Sequence, residues 1–321
     1  MNTTSDIAIH PASHPASDGH ALDQVVDALG AILIGKEHQV RLAVATLIAE
    51  GHLLIEDVPG VGKTTLAHAL GHVLALPARR VQFTSDLLPG DITGLSMFNT
   101  DTREFDFKPG PVFTSVLLAD EINRAPPRAQ SALLEAMEEK QVTVDGTTYT
   151  LPEHFFVIAT QNPTDQLGAY PLPESQLDRF LTGITLGYLA PEEEKALLAG
   201  GSRLSVAQQA NPLSNPEQIS RWRAQASKIT VADRLLDYVL ALLNETRKQG
   251  VAPGGHGLSP RAGLKLIAIA RAWALLNHRT MVIPEDIQAV FGPVAGHRLT
   301  GSVKAGKTLC QSIIERIPLD Q

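Results

Sequence analysis

The run Asp57-Val58-Pro59-Gly60-Val61-Gly62-Lys63-Thr64 has the residue types and spacing to hold a phosphate chain. Its glycines let backbone N–H groups point inward at phosphate oxygens, and a helix starting at the lysine adds its positive end. Lys63 would reach the β and γ phosphates, and the Thr64 hydroxyl would hold Mg²⁺. Pro59, Val61 and Thr65 complete the cradle around Gly60 and Gly62. The strict pattern has glycine at position 57, where this chain has Asp. A short polar residue tolerates unusual backbone angles, so the loop can still form. The alternative is a Gly-rich strand-to-helix turn with a chance Lys-Thr pair.

A second candidate is the apolar run 116–119, which ends on Asp120-Glu121. Open α/β sheets bind ligands at the C-terminal ends of their strands. Asp120 would hold Mg²⁺, usually through water, and Glu121 would polarise an attacking water as general base. Two adjacent acids also suit a solvated turn. Their distance from the phosphate loop, with room for a strand and an insertion between, favours the chemical reading.

These residues need a sheet to carry them. Residues 52–55 form a short apolar run ahead of the loop, and 64–76 follow with helical periodicity, which predicts strand, loop and helix. Further apolar runs at 81–83, 116–119 and 155–160 alternate with helical stretches such as 128–139 and 174–181. That alternation implies a parallel sheet covered by helices on both faces. Residues 97–107 and 142–151 place strand-like residues around turns and read as hairpins. Ahead of the sheet, 21–51 reads as two helices broken at Ile34-Gly35.

After Pro191 the strands stop. Helices are expected over 191–199, 216–227, 231–249, 260–277 and 284–290, several with proline in the first turn, where its missing N–H costs nothing. The organisation is a disordered leader at 1–20, an α/β nucleotide-binding domain at 21–190, and a helical lid with a C-terminal segment at 191–321. Residues 200–215 and 250–257 are its flexible parts, and the stretch from 296 onward has no clear assignment.

The chain has 321 residues, 44% hydrophobic and 19% charged, enough to bury a core without metals or disulfides. A net charge of -7 works against blanketing a nucleic-acid backbone. Cys310, the single cysteine, cannot form an intrachain disulfide; this fits a cytoplasmic protein, and a small buried residue is the expected role. Residues 1–20 lack the basic start and apolar stretch of a secretion signal. Arg261, Lys265 and Arg271 interrupt the most apolar helix, so no membrane span is expected.

Four stretches together resemble the MoxR family of AAA+ ATPases. They are Glu56 to Thr64; Leu118-Ala119-Asp120-Glu121-Ile122-Asn123-Arg124-Ala125; Gln130 to Glu139; and Ala159-Thr160-Gln161-Asn162-Pro163. The likeness runs from about Ile34 to about Arg298. It implies a P-loop AAA+ sheet domain with a small helical lid, ATP and Mg²⁺ as ligands, and an acidic residue tolerated at position 57.

The resemblance also assigns roles. Asn162 corresponds to sensor 1, which orients the lytic water. Arg179 resembles the arginine finger offered to a neighbouring subunit, and Arg261 the sensor 2 arginine of the chain's own site. Ile34-Gly35 corresponds to the adenine-side contact, although a plain helix break explains the same residues. The two hairpins resemble the helix-2 and pre-sensor-1 inserts. The expected assembly is a hexameric ring that remodels a protein client, with a partner carrying a von Willebrand factor A domain. A magnesium-chelatase-like ATPase subunit, an MCM-type nucleic-acid motor and a non-hydrolysing nucleotide-gated scaffold are the competing readings.

Overall fold

The computed structural model describes residues 15–162, 169–200, 211–253 and 256–318. Helices α1 (Pro15–Ile32) and α2 (Glu37–Ile48) precede β1 (Leu53–Glu56), which runs through the phosphate loop into α3 (Lys63–Val73). Next come β2 (Ala78–Gln82), the short α4 (Pro89–Thr93), the hairpin β3 (Gly94–Asn99) and β4 (Glu104–Pro109), β5 (Val116–Asp120), a 3₁₀ turn at Ile122–Arg124, and α5 (Pro127–Glu139). The hairpin β6 (Gln141–Val144) and β7 (Thr147–Thr150) leads to β8 (Phe156–Gln161), the single turn α6 (Glu174–Leu177) and β9 (Thr182–Ile184). The lid comprises α7 (Pro191–Gly200), α8 (Pro216–Lys228), α9 (Asp233–Thr246), α10 (Pro260–Leu276), α11 (Pro284–Thr300) and α12 (Val303–Arg316).

The main sheet has the order β2-β5-β8-β1-β9, and its neighbouring strands are parallel. Strands β1, β5 and β8 are buried almost end to end, so apolar side chains serve both faces. Leu53, Ile55, Leu118 and Ile158 enter one core with α1, α2, α3 and the lid, while Leu54, Leu117, Ala119 and Val157 enter a second core against α5.

Both expected hairpins form, as antiparallel pairs β3–β4 and β6–β7. Phe107 stacks on Tyr149 with ring centroids 4.0 Å apart, which joins them. Several expectations need correction. Helix α1 begins at Pro15, inside the segment expected to be disordered, because its buried residues Leu22, Val25, Val26 and Leu29 anchor a helix that extends back from them. The helix expected to reach residue 181 ends at Leu177, and the chain then turns to pair β9 with β1.

Helix α11 runs through Pro293 to Thr300, and α12 follows in the stretch without an assignment. These two helices cross at Gly296 and Gly306, where a Cβ on Gly306 would lie 2.2 Å from the Gly296 Cα. That close packing, with Val294, Ala295 and Leu299 buried, offsets the hydrogen bond lost at Pro293. Much of the expected 200–215 linker, and residues 254–255 of the expected 250–257 loop, lie outside the described residues.

Candidate active site

The phosphate loop leaves the C-terminal end of β1. Gly60 and Gly62 have φ of 86° and 101°, a region that favours glycine, and Gly62 caps α3 so that Lys63 opens the helix. Lys63 is buried, and its Nζ donates to the Asp57 carbonyl oxygen at 2.7 Å. Burial pulls the Lys63 pKa down, while Asp120, Asp57 and Glu121 nearby pull it up. The helix that Lys63 opens also packs against β5, which carries the paired acids.

Asp57 is more than a tolerated substitute for glycine. Its Oδ2 accepts from the backbone N–H groups of Leu186 and Gly187 at 2.7 and 2.6 Å, and its Oδ1 from Val58 N–H at 2.9 Å. The carboxylate thus ties the loop to the chain leaving β9. A cavity of about 250 Å³ beside the loop is lined by Leu33, Ile34, Val61, Tyr188 and Leu197, among others. This apolar lining suits a base ring, and the break between α1 and α2 at Gly35, φ 67°, shapes its rim.

Asp120 ends β5, which is separated from β1 by β8. Thr160 on β8 donates to Asp120 Oδ1 at 2.6 Å and accepts from the Glu121 N–H at 2.9 Å, so one hydroxyl orients both acids. Glu121 has φ 58°, a left-handed conformation uncommon outside glycine and frequent at functional sites. Its Oε2 accepts from Gln82 Nε2 at 2.7 Å and pairs with Arg124 at 3.1 Å. The other oxygen of Asp120 faces Arg80, whose Nε and Nη2 lie 3.1 and 2.6 Å from Oδ2. Asn162 follows β8 directly and is buried; the adjoining Pro163 lies outside the described residues.

Arg179 and Arg261 lie elsewhere. Arg179 precedes β9, and β9 pairs in parallel with β1 from Leu53↔Thr182, so Arg179 flanks the N-terminal sheet edge. The phosphate loop leaves the opposite edge, and the four residues of β1 between them span roughly 13 Å. Arg261 pairs with Glu138 at 2.9 Å, and Arg179 reaches the other oxygen of that carboxylate at 3.2 Å. The two arginines line a cavity of about 480 Å³ with Gly51, His52 and Lys265. Burial lowers the Lys265 pKa to about 8. Arg261 therefore lies with Arg179 and away from its own chain's phosphate loop: the lid packs α10 along α2 and α8, which carries the start of α10 to the edge where Arg179 lies.

Sequence reasoning missed Arg80, Gln82, Glu138 and the bridging hydroxyl of Thr160. The first two lie on exposed-looking β2, and their contacts exist only because β2 pairs with β5. Cys310 is buried, with its thiol pushed up to about 12, as expected for a packing residue. Among the described residues, no group of three or more His, Cys, Asp or Glu could hold a metal ion, and no helix is long and apolar enough to cross a membrane.

Comparison with known proteins supplies the context. The family described as "ATPase family associated with various cellular activities (AAA)" matches residues 52–182, and the AAA lid domain matches 255–317. The uncharacterized protein YeaC of Bacillus subtilis is 42% identical, covering 87% of this chain and 86% of its own. Chaperone MoxR1 of Mycobacterium tuberculosis is 40% identical, covering 88% of this chain and 77% of its own. A crystal structure of a Cytophaga hutchinsonii protein described as an ATPase superposes with a TM-score of 0.84 at 35% identity, covering 94% of this chain and 96% of its own. With a phosphate loop and paired acids at one sheet edge, and with such relatives over nearly its whole length, the chain belongs to the MoxR family of AAA+ ATPases.

Proposed function

We propose that this ATPase hydrolyses ATP at sites shared between neighbouring subunits of a hexameric ring and uses the turnover to remodel a protein client. One subunit contributes the loop from Pro59 to Thr65, together with Asp120, Glu121 and Asn162. Its neighbour contributes both Arg179 and Arg261. The observation that carries this reading is the meeting of those arginines at the sheet edge opposite the phosphate loop. An arginine there is too far from its own triphosphate, yet well placed to meet the next subunit's.

In this arrangement the loop amides and Lys63 bind the phosphates, and Glu121 takes a proton from the attacking water. Asn162 fixes the water's direction, and the neighbour's arginines stabilise charge on the transferred phosphoryl oxygens. The Thr64 hydroxyl and Asp120 carboxylate are hard oxygen donors that fit Mg²⁺, which takes few protein ligands when phosphates supply the rest. Bound there, magnesium would neutralise phosphate charge. Glu121 must first leave Gln82 and Arg124, and Asp120 must leave Arg80.

A client surface is available on the β3–β4 hairpin, where Met97, Phe98 and Phe105 are exposed and Phe98 packs edge-on against Phe105 at 5.4 Å. The name of the mycobacterial relative, a chaperone, agrees with such a duty. By family likeness the reading includes a partner with a von Willebrand factor A domain and a cytoplasmic setting. The test is the mass of Glu121→Gln in solution with ATP and magnesium. A ring of subunits is expected, and a protein that stays monomeric at micromolar concentration would overturn the shared-site reading.

A further inference from the structure

Glu56 is the last residue of β1, immediately before the phosphate loop, and its carboxylate is buried. Its Oε1 accepts from Ser302 Oγ at 2.7 Å, and its Oε2 from Val303 N–H at 2.8 Å and Gln161 Nε2 at 3.1 Å. Ser302 and Val303 begin α12, so one carboxylate joins the root of the loop, the strand leading to Asn162, and the lid. A buried charge with all its partners in place resists displacement, because leaving any one of them exposes an unpaired group.

The connection continues through the turn between α11 and α12. Thr300 Oγ1 donates to the Ser302 carbonyl oxygen at 2.7 Å and accepts from the Ser302 N–H at 3.2 Å. One half-turn back on α11, Arg298 is almost wholly enclosed, with a side chain 5% exposed. It donates to Asp178 Oδ1 at 2.7 Å, to the Phe180 carbonyl oxygen at 2.6 Å and to the Leu181 carbonyl oxygen at 3.1 Å. His297 also meets the Phe180 carbonyl oxygen, at 3.2 Å. These acceptors flank Arg179 on both sides. Lys265 of α10, one turn beyond Arg261, donates to the Asp178 carbonyl oxygen as well.

We propose that Glu56 and Arg298 are positioning residues that couple the occupancy of a subunit's own phosphate loop to the placing of the Arg179 and Arg261 it presents to its neighbour. The inference rests on the shared-site reading above and adds direction to it. A loop that shifts on binding nucleotide moves Glu56, which moves the start of α12 and the last turn of α11, and Arg298 carries that movement to the segment bearing Arg179. Neither residue is part of the phosphate loop: Glu56 ends β1 and Arg298 lies on α11. Coupling of this kind requires contiguous packed and hydrogen-bonded elements, which the Glu56–Ser302–Thr300–Arg298–Asp178 series supplies.

The test is hydrogen exchange at the amides of residues 178–181 in full-length Glu121→Gln protein, with and without ATP and magnesium, with ATP affinity measured in parallel. ATP is expected to change exchange in this segment about tenfold. Adding Glu56→Gln is expected to abolish the change while ATP affinity stays within about threefold. A response that persists in the double variant comes straight from a neighbour's nucleotide, and it overturns the relay. Unchanged exchange in the parent despite tight ATP binding also overturns it and leaves the ATPase reading intact, whereas a parent that fails to bind ATP overturns both. Should Glu56→Gln melt at a markedly lower temperature, Ser302→Ala decides the matter, since it removes one donor and keeps the carboxylate. A full response in folded Ser302→Ala would then reject the relay, and a halved one would support it.

Discussion

Arg261, from the lid, ends on the same Glu138 carboxylate as Arg179, from the sheet domain, at 2.9 and 3.2 Å respectively. Two cations of separate domains held by one anion form a prepared pair rather than two independent surface charges. In Glu138 the carboxyl is held below its usual range, first by the Arg261 hydrogen bond and then by the charges around it. A triphosphate arriving from a neighbour would replace Glu138 as the pair's counter-charge.

Arg179→Ala and Arg261→Ala are each expected to lose ATP turnover, by roughly 10³-fold for a residue acting as a finger. Mixing either variant with Lys63→Ala subunits should restore part of the activity, because each protein then supplies the half the other lacks. Recovery with Arg179→Ala but none with Arg261→Ala, in rings shown to coassemble, would return Arg261 to its own subunit's site.

Arg80 competes for Asp120. Its guanidinium makes two contacts with Oδ2, the oxygen left free by Thr160. Arg80→Ala is expected to lower the magnesium concentration needed for half-maximal nucleotide binding several-fold, measured by titration with a fluorescent ATP analogue. An unchanged or higher requirement would show that Arg80 supports the metal-bound state instead.

His52 gives the fold an acid limit. It is buried, accepts from the Val157 N–H through Nδ1 at 3.0 Å, and contacts the Met137 carbonyl oxygen through Nε2 at 3.2 Å. Burial lowers its pKa from 6.5 to about 4. The folded chain keeps His52 neutral while the unfolded chain protonates it, so stability falls as pH drops from 6.5 to about 4 and is unaffected by this group above 6.5. The loss amounts to about 3 kcal/mol by the bottom of that window. Denaturant unfolding at a series of pH values should show this slope in the native protein and a shallower one in His52→Gln. Equal slopes would remove His52 from the acid response.

The sequence made the loop, the paired acids and both hairpins visible because each is a local pattern: glycine spacing, an apolar run ending on charge, strand residues around a turn. Strand β9 was invisible for the opposite reason. Thr182-Gly183-Ile184 has no periodicity of its own and becomes a strand only by pairing with β1. Helix α11, expected to end at residue 290, runs on through Gly292-Pro293, a strong breaker pair that packing against α12 at Gly296 and Gly306 overrides. The placing of Arg261 depended on lid orientation, which no spacing along the chain encodes. Thr160 stood within a recognisable motif, but its hydroxyl gains meaning only where β8 lies beside β5.

In the proposed mechanism the phosphate loop and the acids at the end of β5 serve one triphosphate, with Glu121 as the base. The direct measurement is ATP turnover by Glu121→Gln alongside its ATP affinity. Affinity should remain near that of the native protein, since Lys63, Thr64 and Asp120 are untouched, and turnover should fall by roughly 10² to 10⁴. Turnover equal to the native rate would show that Glu121 is not the base.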